Sequence, residues 1–303
     1  MALDRRPALA WALLGLIWGA TWTFIKIGLE DLPPFTFAAI RFFIAAAPLL
    51  ALMRVRQTPL PRQARDWWLI ASAAVLSIFA GYGLVFWGEK HIPSGLTAVL
   101  FTTFPLFGLL FAHYLLPGEP MTPRRLGGVV LGIAGVAIIF GDQLAADSPM
   151  ALWGGIAIVT SAACGALSGV LIKAYGHHLD PAALTATQML IGAPLLLAVG
   201  VALEGNPLAL HWTPLALISL AYLAFAGSSL AFVIWYWLIK RIEVTKAQLL
   251  PLLNTLVAVG LGWLVLDEEL GWRTLAGGAA ILAGMVVTLS SPPAPGPESA
   301  AVP

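Results

Sequence analysis

Charged residues and Pro/Gly breaks cut this chain into ten apolar runs, a feature that leaves few folds open to it. The runs cover residues 8–26, 34–53, 67–88, 92–116, 125–141, 150–173, 181–203, 213–239, 246–266 and 273–290. A helix needs about 20 mainly apolar residues to cross the ~30 Å hydrocarbon layer, so each run reads as a membrane-spanning helix; the fifth and tenth are short and glycine-rich. Composition agrees: 59% of the 303 residues are hydrophobic and 10% charged, where a soluble domain carries about a quarter charged. The expected fold is all-α and integral to the membrane, with ten transmembrane helices. The start, MALDRRPALAWALLGLIWGA, has the charged head of a signal peptide. Its apolar run continues through TWTFI without a small-x-small cleavage site, so it reads as the first span.

Lys and Arg placement sets direction. One set of loops and helix ends holds Arg5, Arg6, Arg54, Arg56, Arg62, Arg65, Arg124, Arg125, Lys173, Lys240, Arg241 and Lys246. The other holds only Lys26, Lys90 and Arg273, with Arg41 apart from both. Basic loops stay in the cytoplasm, so both termini are expected there. A net charge of +1 without a basic tract excludes a nucleic-acid partner, and the single Cys164 excludes an internal disulfide or a cysteine-based metal cluster. No cofactor is expected. The expected partners are the lipid bilayer and a small-molecule substrate, in a monomer or homodimer.

The chain also contains itself twice. WGEKHI at 87–92 resembles WLIKRI at 237–242, an offset of 150, and IKIGLEDLPP from Ile25 aligns with IKAYGHHLDP from Ile172, an offset of 147. That register sets Gln188 opposite Arg41. Glu119, Arg124, Gly128 and Gly135 match Glu268, Arg273, Gly277 and Gly284 at an offset of 149. Five spans per copy is an odd number, so the second copy inserts upside down. The expected units are residues 1–142 and 148–290, and SPPAPGPESAAVP at 291–303 reads as a disordered tail. Inverted repeats characterise secondary transporters, with the substrate site near the midplane between the repeats.

TAVLFTTFPLFGLLFAHYLLPGEPMTPRRLGGVVLGIAGVAIIF resembles the closing half of an EamA repeat of the drug/metabolite transporter superfamily, through Pro105, Gly118–Glu119, Gly128 and Gly135. IWGATWTFIKIGL is similar to that family's first helix and AAIRFFIAAAPLL to its second, with Arg41 at the family's arginine. The second unit departs from the pattern, with Thr255 in place of the proline and Asp267 in place of the glycine. The resemblance implies a carrier in the inner (plasma) membrane. Overall length and tryptophan-rich helices are also similar to bacterial exporters of aromatic amino acids.

Candidate site residues follow from depth along the spans. Trp18 and Trp22 share a face at a spacing of four, extended by Trp11 and Gly15. Tyr82 and Phe86, Ser228 and Ser229, Trp235, Asn254 and Thr102 lie at matching levels. Pro105 and Pro251 free backbone carbonyls, which is tolerated only inside protein or along a wet cavity, and broken helices at matching places point to a binding site. Arg41 sits about 10 Å below the outer edge at 1.5 Å per residue. It reads either as an anchor for a substrate carboxylate or as a tie to backbone carbonyls of neighbouring spans. The resemblance favours the tie, because the family carries this arginine across differing substrates.

All fifteen acidic residues fall in loops or at helix ends, whereas proton-coupled carriers usually relay through buried Asp, Glu or His. That absence points to a carrier running downhill or coupled by other means. His113 is the remaining relay candidate, though a histidine at a helix end is commonly just hydrogen-bonded there. The pattern suits export of small neutral metabolites, above all aromatic or hydrophobic amino acids. A nucleotide-sugar or organic-anion exchanger would need several intramembrane cations where only Arg41 is available, and a channel would not need the broken helices. No nucleophile–base set or metal cluster suggests an enzyme. The glycines of the fifth and tenth spans, Gly128-x-x-x-Gly132 and Ala280-x-x-x-Gly284, let helices approach closely, either within the chain or in a dimer.

Overall fold

A computed structural model describes residues 6–92, 94–139, 149–257 and 271–290. The loop between the expected units, the outer part of the ninth run with Asp267 and Glu268, and the tail at 291–303 lie outside the described residues. Within them the chain is helical, with no strand. The helices are α1 (Arg6–Asp31), α2 (Pro34–Arg56), α3 (Ala64–His91), α4 (Ser94–Phe101), α5 (Phe104–Leu115), α6 (Pro123–Ile139), α7 (Pro149–Tyr175), α8 (Pro181–Glu204), α9 (Pro214–Ile239), α10 (Val244–Ala247) and α11 (Trp272–Leu289), with residues 250–257 helical beyond α10. Among the described residues six helices, α1, α2, α3, α7, α8 and α9, are long and apolar enough to cross a membrane.

Proline begins many of these helices because its missing N–H and fixed φ suit the first turn. The orphan donors behind it then need acceptors. Asp180 supplies one for α8, its Oδ1 accepting from Ala182 N at 2.9 Å and Ala183 N at 3.0 Å. α2 begins at Pro34 and is capped from a distance: Glu204, at the end of α8, accepts from Phe35 N, Thr36 N and Thr36 Oγ1 at 2.8, 2.9 and 2.7 Å.

Two features recur at the offsets seen in the sequence. α3 widens into a π-helix over Ala74–Tyr82, and α9 does so over Phe225–Leu230. α2 and α8 each keep a proline inside the helix, Pro48 and Pro194, and pack along one another. The fourth run is not one helix: it breaks at Thr102–Thr103, immediately before Pro105, and the ninth breaks at Gln248–Leu249, before Pro251. At the break Val99 O and Leu100 O accept from Thr102 N and Thr103 N at 3.1 and 3.2 Å, a tightened turn, and also from Thr102 Oγ1 and Thr103 Oγ1 at 2.5 and 2.7 Å.

α6 and α11 form another extensive pair, and here glycine is obligatory. A Cβ on Gly135 would lie 2.6 Å from Gly277 O, and one on Gly128 would lie 2.8 Å from Gly284 O. The two small-residue stripes therefore face each other within one chain.

Candidate functional site

A cavity of about 100 Å³ lies where α1, α3, α4, α5, α7, α9 and the helical residues 250–254 converge. Trp18 and Trp22 project from α1, Tyr82 from the π segment of α3, Phe101 and Phe104 from either side of the α4–α5 break, and Phe232 and Trp235 from α9. Seven of its seventeen lining residues are thus aromatic, and none is charged. Rings pack edge-on or tilted: Trp18 lies 5.7 Å from Trp235 and Trp22 lies 5.2 Å from Phe101, the geometry that ring quadrupoles favour.

The polar groups in the wall are largely committed to backbone. Thr21 Oγ1 donates to Trp18 O at 2.7 Å, Ser161 Oγ to Gly81 O at 2.7 Å, and Trp18 Nε1 to Gly227 O at 3.2 Å. The amide of Asn254, turned to satisfy its neighbours, donates to Leu250 O at 3.0 Å and Gly15 O at 3.2 Å. Two of these carbonyls, Gly81 O and Gly227 O, belong to the π segments, where widened turns leave acceptors for other helices.

Of the residues singled out in the sequence, Trp18, Trp22, Tyr82, Trp235, Pro251 and Asn254 lie on the wall. Arg41, Phe86, Thr102, Ser228, Ser229 and Pro105 do not line it. Arg41 is fully enclosed between α2 and α9, where its Nε donates to Ser228 Oγ at 2.7 Å and its Nη2 to Gly227 O at 3.2 Å. The guanidinium carbon lies 4.8 Å from the Tyr82 ring centroid, 5.1 Å from Phe42 and 5.7 Å from Phe86. Ser228 passes its own proton to Leu223 O, and Ser229 donates to Ala45 O and Ala224 O. Gln188, opposite Arg41 in the repeat register, accepts from Tyr236 OH at 2.8 Å. His113 is exposed at the end of α5, where Nδ1 accepts from Met121 N at 3.3 Å.

Polar ties close both ends of the bundle. At the basic end, Glu119 accepts from Val244 N, Thr245 N and Thr245 Oγ1 at 2.8, 2.9 and 2.9 Å. Arg125 pairs with Glu243 at 2.5 Å, Lys246 pairs with the same carboxylate at 3.0 Å, and Asp66 meets His178 at 2.9 Å. Lys240 donates to Leu179 O, and burial pushes its ammonium below the usual lysine range. At the opposite end stand the Glu204 cap on α2 and the Thr213–Asp31 hydrogen bond at 2.5 Å. Sequence reasoning placed Glu119 in a motif but not its task, which needs α10 brought alongside by the fold.

Residues 6–141 and 152–290 each match the EamA-like transporter family. The chain belongs to that family. Among similar proteins, an uncharacterized transporter, YoaV, of Bacillus subtilis is 30% identical over 89% of this chain and 92% of its own. An uncharacterized inner membrane transporter, YedA, of Escherichia coli is 30% identical over 91% and 88%. A protein of Escherichia coli named as a probable amino-acid metabolite efflux pump is 24% identical over 95% and 96%. A solved crystal structure shares the fold, with a TM-score of 0.78 at 20% identity over 93% of this chain and 97% of that one. This EamA-family chain is accordingly a multi-pass membrane protein, and the aromatic cavity lies among the helices of both matched segments.

Proposed function

We propose that this protein is a secondary exporter of small neutral metabolites, with aromatic or hydrophobic amino acids as its cargo. The observation that carries the substrate class is the cavity wall, aromatic on several sides and free of charged side chains. Aromatic walls with a few oriented polar groups suit a flat apolar ligand. A nucleotide-sugar or organic-anion exchanger would need cations at the cavity, and Arg41, packed behind the wall residue Tyr82, is turned to α9.

The proposed architecture is two five-helix halves of inverted topology, at residues 1–142 and 148–290, with both termini and the 291–303 tail in the cytoplasm of a cell whose inner membrane holds the carrier. Support comes from the paired π segments, the paired breaks before Pro105 and Pro251, and the reciprocal glycine crossing of α6 and α11. That crossing occupies the small-residue faces within the chain, so a monomer suffices. Trp18, Trp22, Tyr82, Trp235 and Asn254 form the binding wall. Arg41, Phe86, Ser228, Ser229 and Thr102 hold that wall from behind.

A cavity of about 100 Å³ is smaller than the ~150 Å³ that holds a benzene ring, so cargo enters only when the wall opens. Alternating access then requires the ties at the two ends to break in turn. His113, exposed at the end of α5, stands outside the cavity wall.

The test is tryptophan and phenylalanine flux into proteoliposomes. Saturable uptake with counterflow is the expected result. Linear, non-exchanging release would indicate a channel, and absence of flux for every neutral aromatic amino acid would remove the substrate assignment.

A further inference from the structure

Glu89 lies one helical turn beyond Val85 and two beyond Gly81, both on the cavity wall. Its side chain has no solvent exposure, and neither carboxylate oxygen has a hydrogen-bond partner. Every other buried carboxylate among the described residues is bonded: Glu119 to α10 and Asp66 to His178. α1 brings a cation beside it, Lys26, whose Nζ donates to the backbone oxygen of Glu89 at 3.0 Å and not to its carboxylate. The helix around it is closely packed: the adjoining Gly88 lies against Ile158 and Gly154 O of α7, and Phe86 lies against Phe37 of α2. On its own helix, Lys90 is exposed and His91 turns its ring back to Trp87 O. Arg41, the charged group on the buried face of α2, is held by α9.

An ionised carboxylate in such a place would lose its hydration, a penalty of several kcal/mol, and gain only the attraction of Lys26, whose ammonium is bonded to the backbone oxygen instead. Buried charges are paired or coordinated, and a group that is neither neutralises instead. A metal cation would need about six oxygen ligands, and among the described residues no cluster of metal-ligating side chains forms. A proton needs none.

We propose that Glu89 carries the coupling proton of this transporter. In the closed arrangement the side chain is the neutral acid. In the inward-facing arrangement the opened cavity admits water past Gly81 and Val85 to Glu89; the O–H bond breaks, the proton leaves with that water on the cytoplasmic side, and the Lys26 ammonium swings from the backbone oxygen to the carboxylate as cargo binds. In the outward-facing arrangement, when the outer end of α3 separates from α1 and α7, cargo leaves, water of that side returns a proton to the carboxylate, and Lys26 goes back to the backbone oxygen. One proton thus enters for each cargo molecule exported, by exchange at the rim of the cavity. The inference rests on the transport reading above, and its test is chosen so that the two can fail separately.

The first measurement is an infrared difference spectrum of purified wild type against Glu89→Gln, at neutral pH and without cargo. A protonated-carboxyl C=O band present in wild type and missing in the variant is expected; no such band in wild type overturns the proposal whatever the cargo proves to be. The second is amino-acid accumulation in proteoliposomes under an imposed pH gradient. One proton per cycle and one pH unit support about tenfold accumulation in wild type, since tenfold corresponds to ~1.4 kcal/mol. Glu89→Gln should lose that accumulation yet keep cargo–cargo exchange, which also shows that it is folded. A gradient response retained by Glu89→Gln, or absent from wild type that exchanges normally, overturns the coupling role. If wild type moves no aromatic amino acid, the cargo assignment falls and the infrared result still decides the protonation of Glu89.

Discussion

Replacing Arg41 distinguishes a tie between helices from a hand on the substrate, and the structure allows the cost to be worked out. The side chain makes two charge-assisted hydrogen bonds to α9, each worth about 1.5–3 kcal/mol. It also lies over three rings, an interaction worth about 2 kcal/mol when desolvated. Against this, removing a cation from a membrane helix relieves about 2.5–3.5 kcal/mol. The interactions outweigh the relief, so Arg41→Ala destabilises by about 2–5 kcal/mol. Arg41→Lys retains the charge without the planar fork that reaches Ser228 and Gly227 together, and should fall between. The assay pairs heat-induced loss of monodisperse protein with flux normalised to folded protein in the bilayer. A lower melting point with an unchanged KM per folded carrier is expected. Wild-type melting with a KM raised only for cargo that bears a carboxylate would refute this account and make Arg41 an anchor.

Three other perturbations read different parts of the molecule. Trp235→Ala opens the wall opposite Trp18 and should raise the KM for tryptophan up to about tenfold, the ~1.4 kcal/mol of one lost aromatic contact, in proteoliposome kinetics. Glu119→Ala orphans two backbone N–H groups and a hydroxyl at α10, each costing about 1–3 kcal/mol when buried. It should lower the melting point well below that of Glu204→Ala, whose carboxylate is more exposed. Gly135→Leu must push α11 away from a 2.6 Å approach; overpacking of this kind costs at least about 1–3 kcal/mol, so reduced yield and early aggregation are expected on size-exclusion chromatography.

The fold was legible where single residues obey the bilayer. Apolar runs bounded by Arg54, Arg56, Lys173 and Lys240 mark helices, and Pro105 and Pro251 mark breaks, because hydrocarbon tolerates neither charges nor freed carbonyls. The π segments were not legible. AVLSIFAGY and FAGSSL contain no proline and a single glycine each, and a widened turn depends on donors from other helices, such as Ser161 Oγ for Gly81 O and Trp18 Nε1 for Gly227 O. The wall was legible in part. Tyr82 and Phe86 are four apart and should share a face, yet Phe37 covers Phe86 and only Tyr82 reaches the cavity. The placing of acidic residues at helix ends held for Glu89 as a position, but an end is wet or dry according to its neighbours. Here Ile158 and Gly154 of α7 pack against the adjoining Gly88, and the enclosed Glu89 removes the ground for expecting no buried carboxylate.

The uncharged wall also bears on the energised membrane around it. Bringing a bare ion into a medium of low dielectric costs of order 20 kcal/mol in the idealised limit and several even after relaxation. A potential of 100 mV contributes only about 2.3 kcal/mol per elementary charge. The cavity wall has no side-chain charge to offset the difference, so it disfavours entry of a bare inorganic ion. Under the proposed mechanism charge crosses only as the proton held by Glu89, so the gradient is spent in step with cargo and not by leakage.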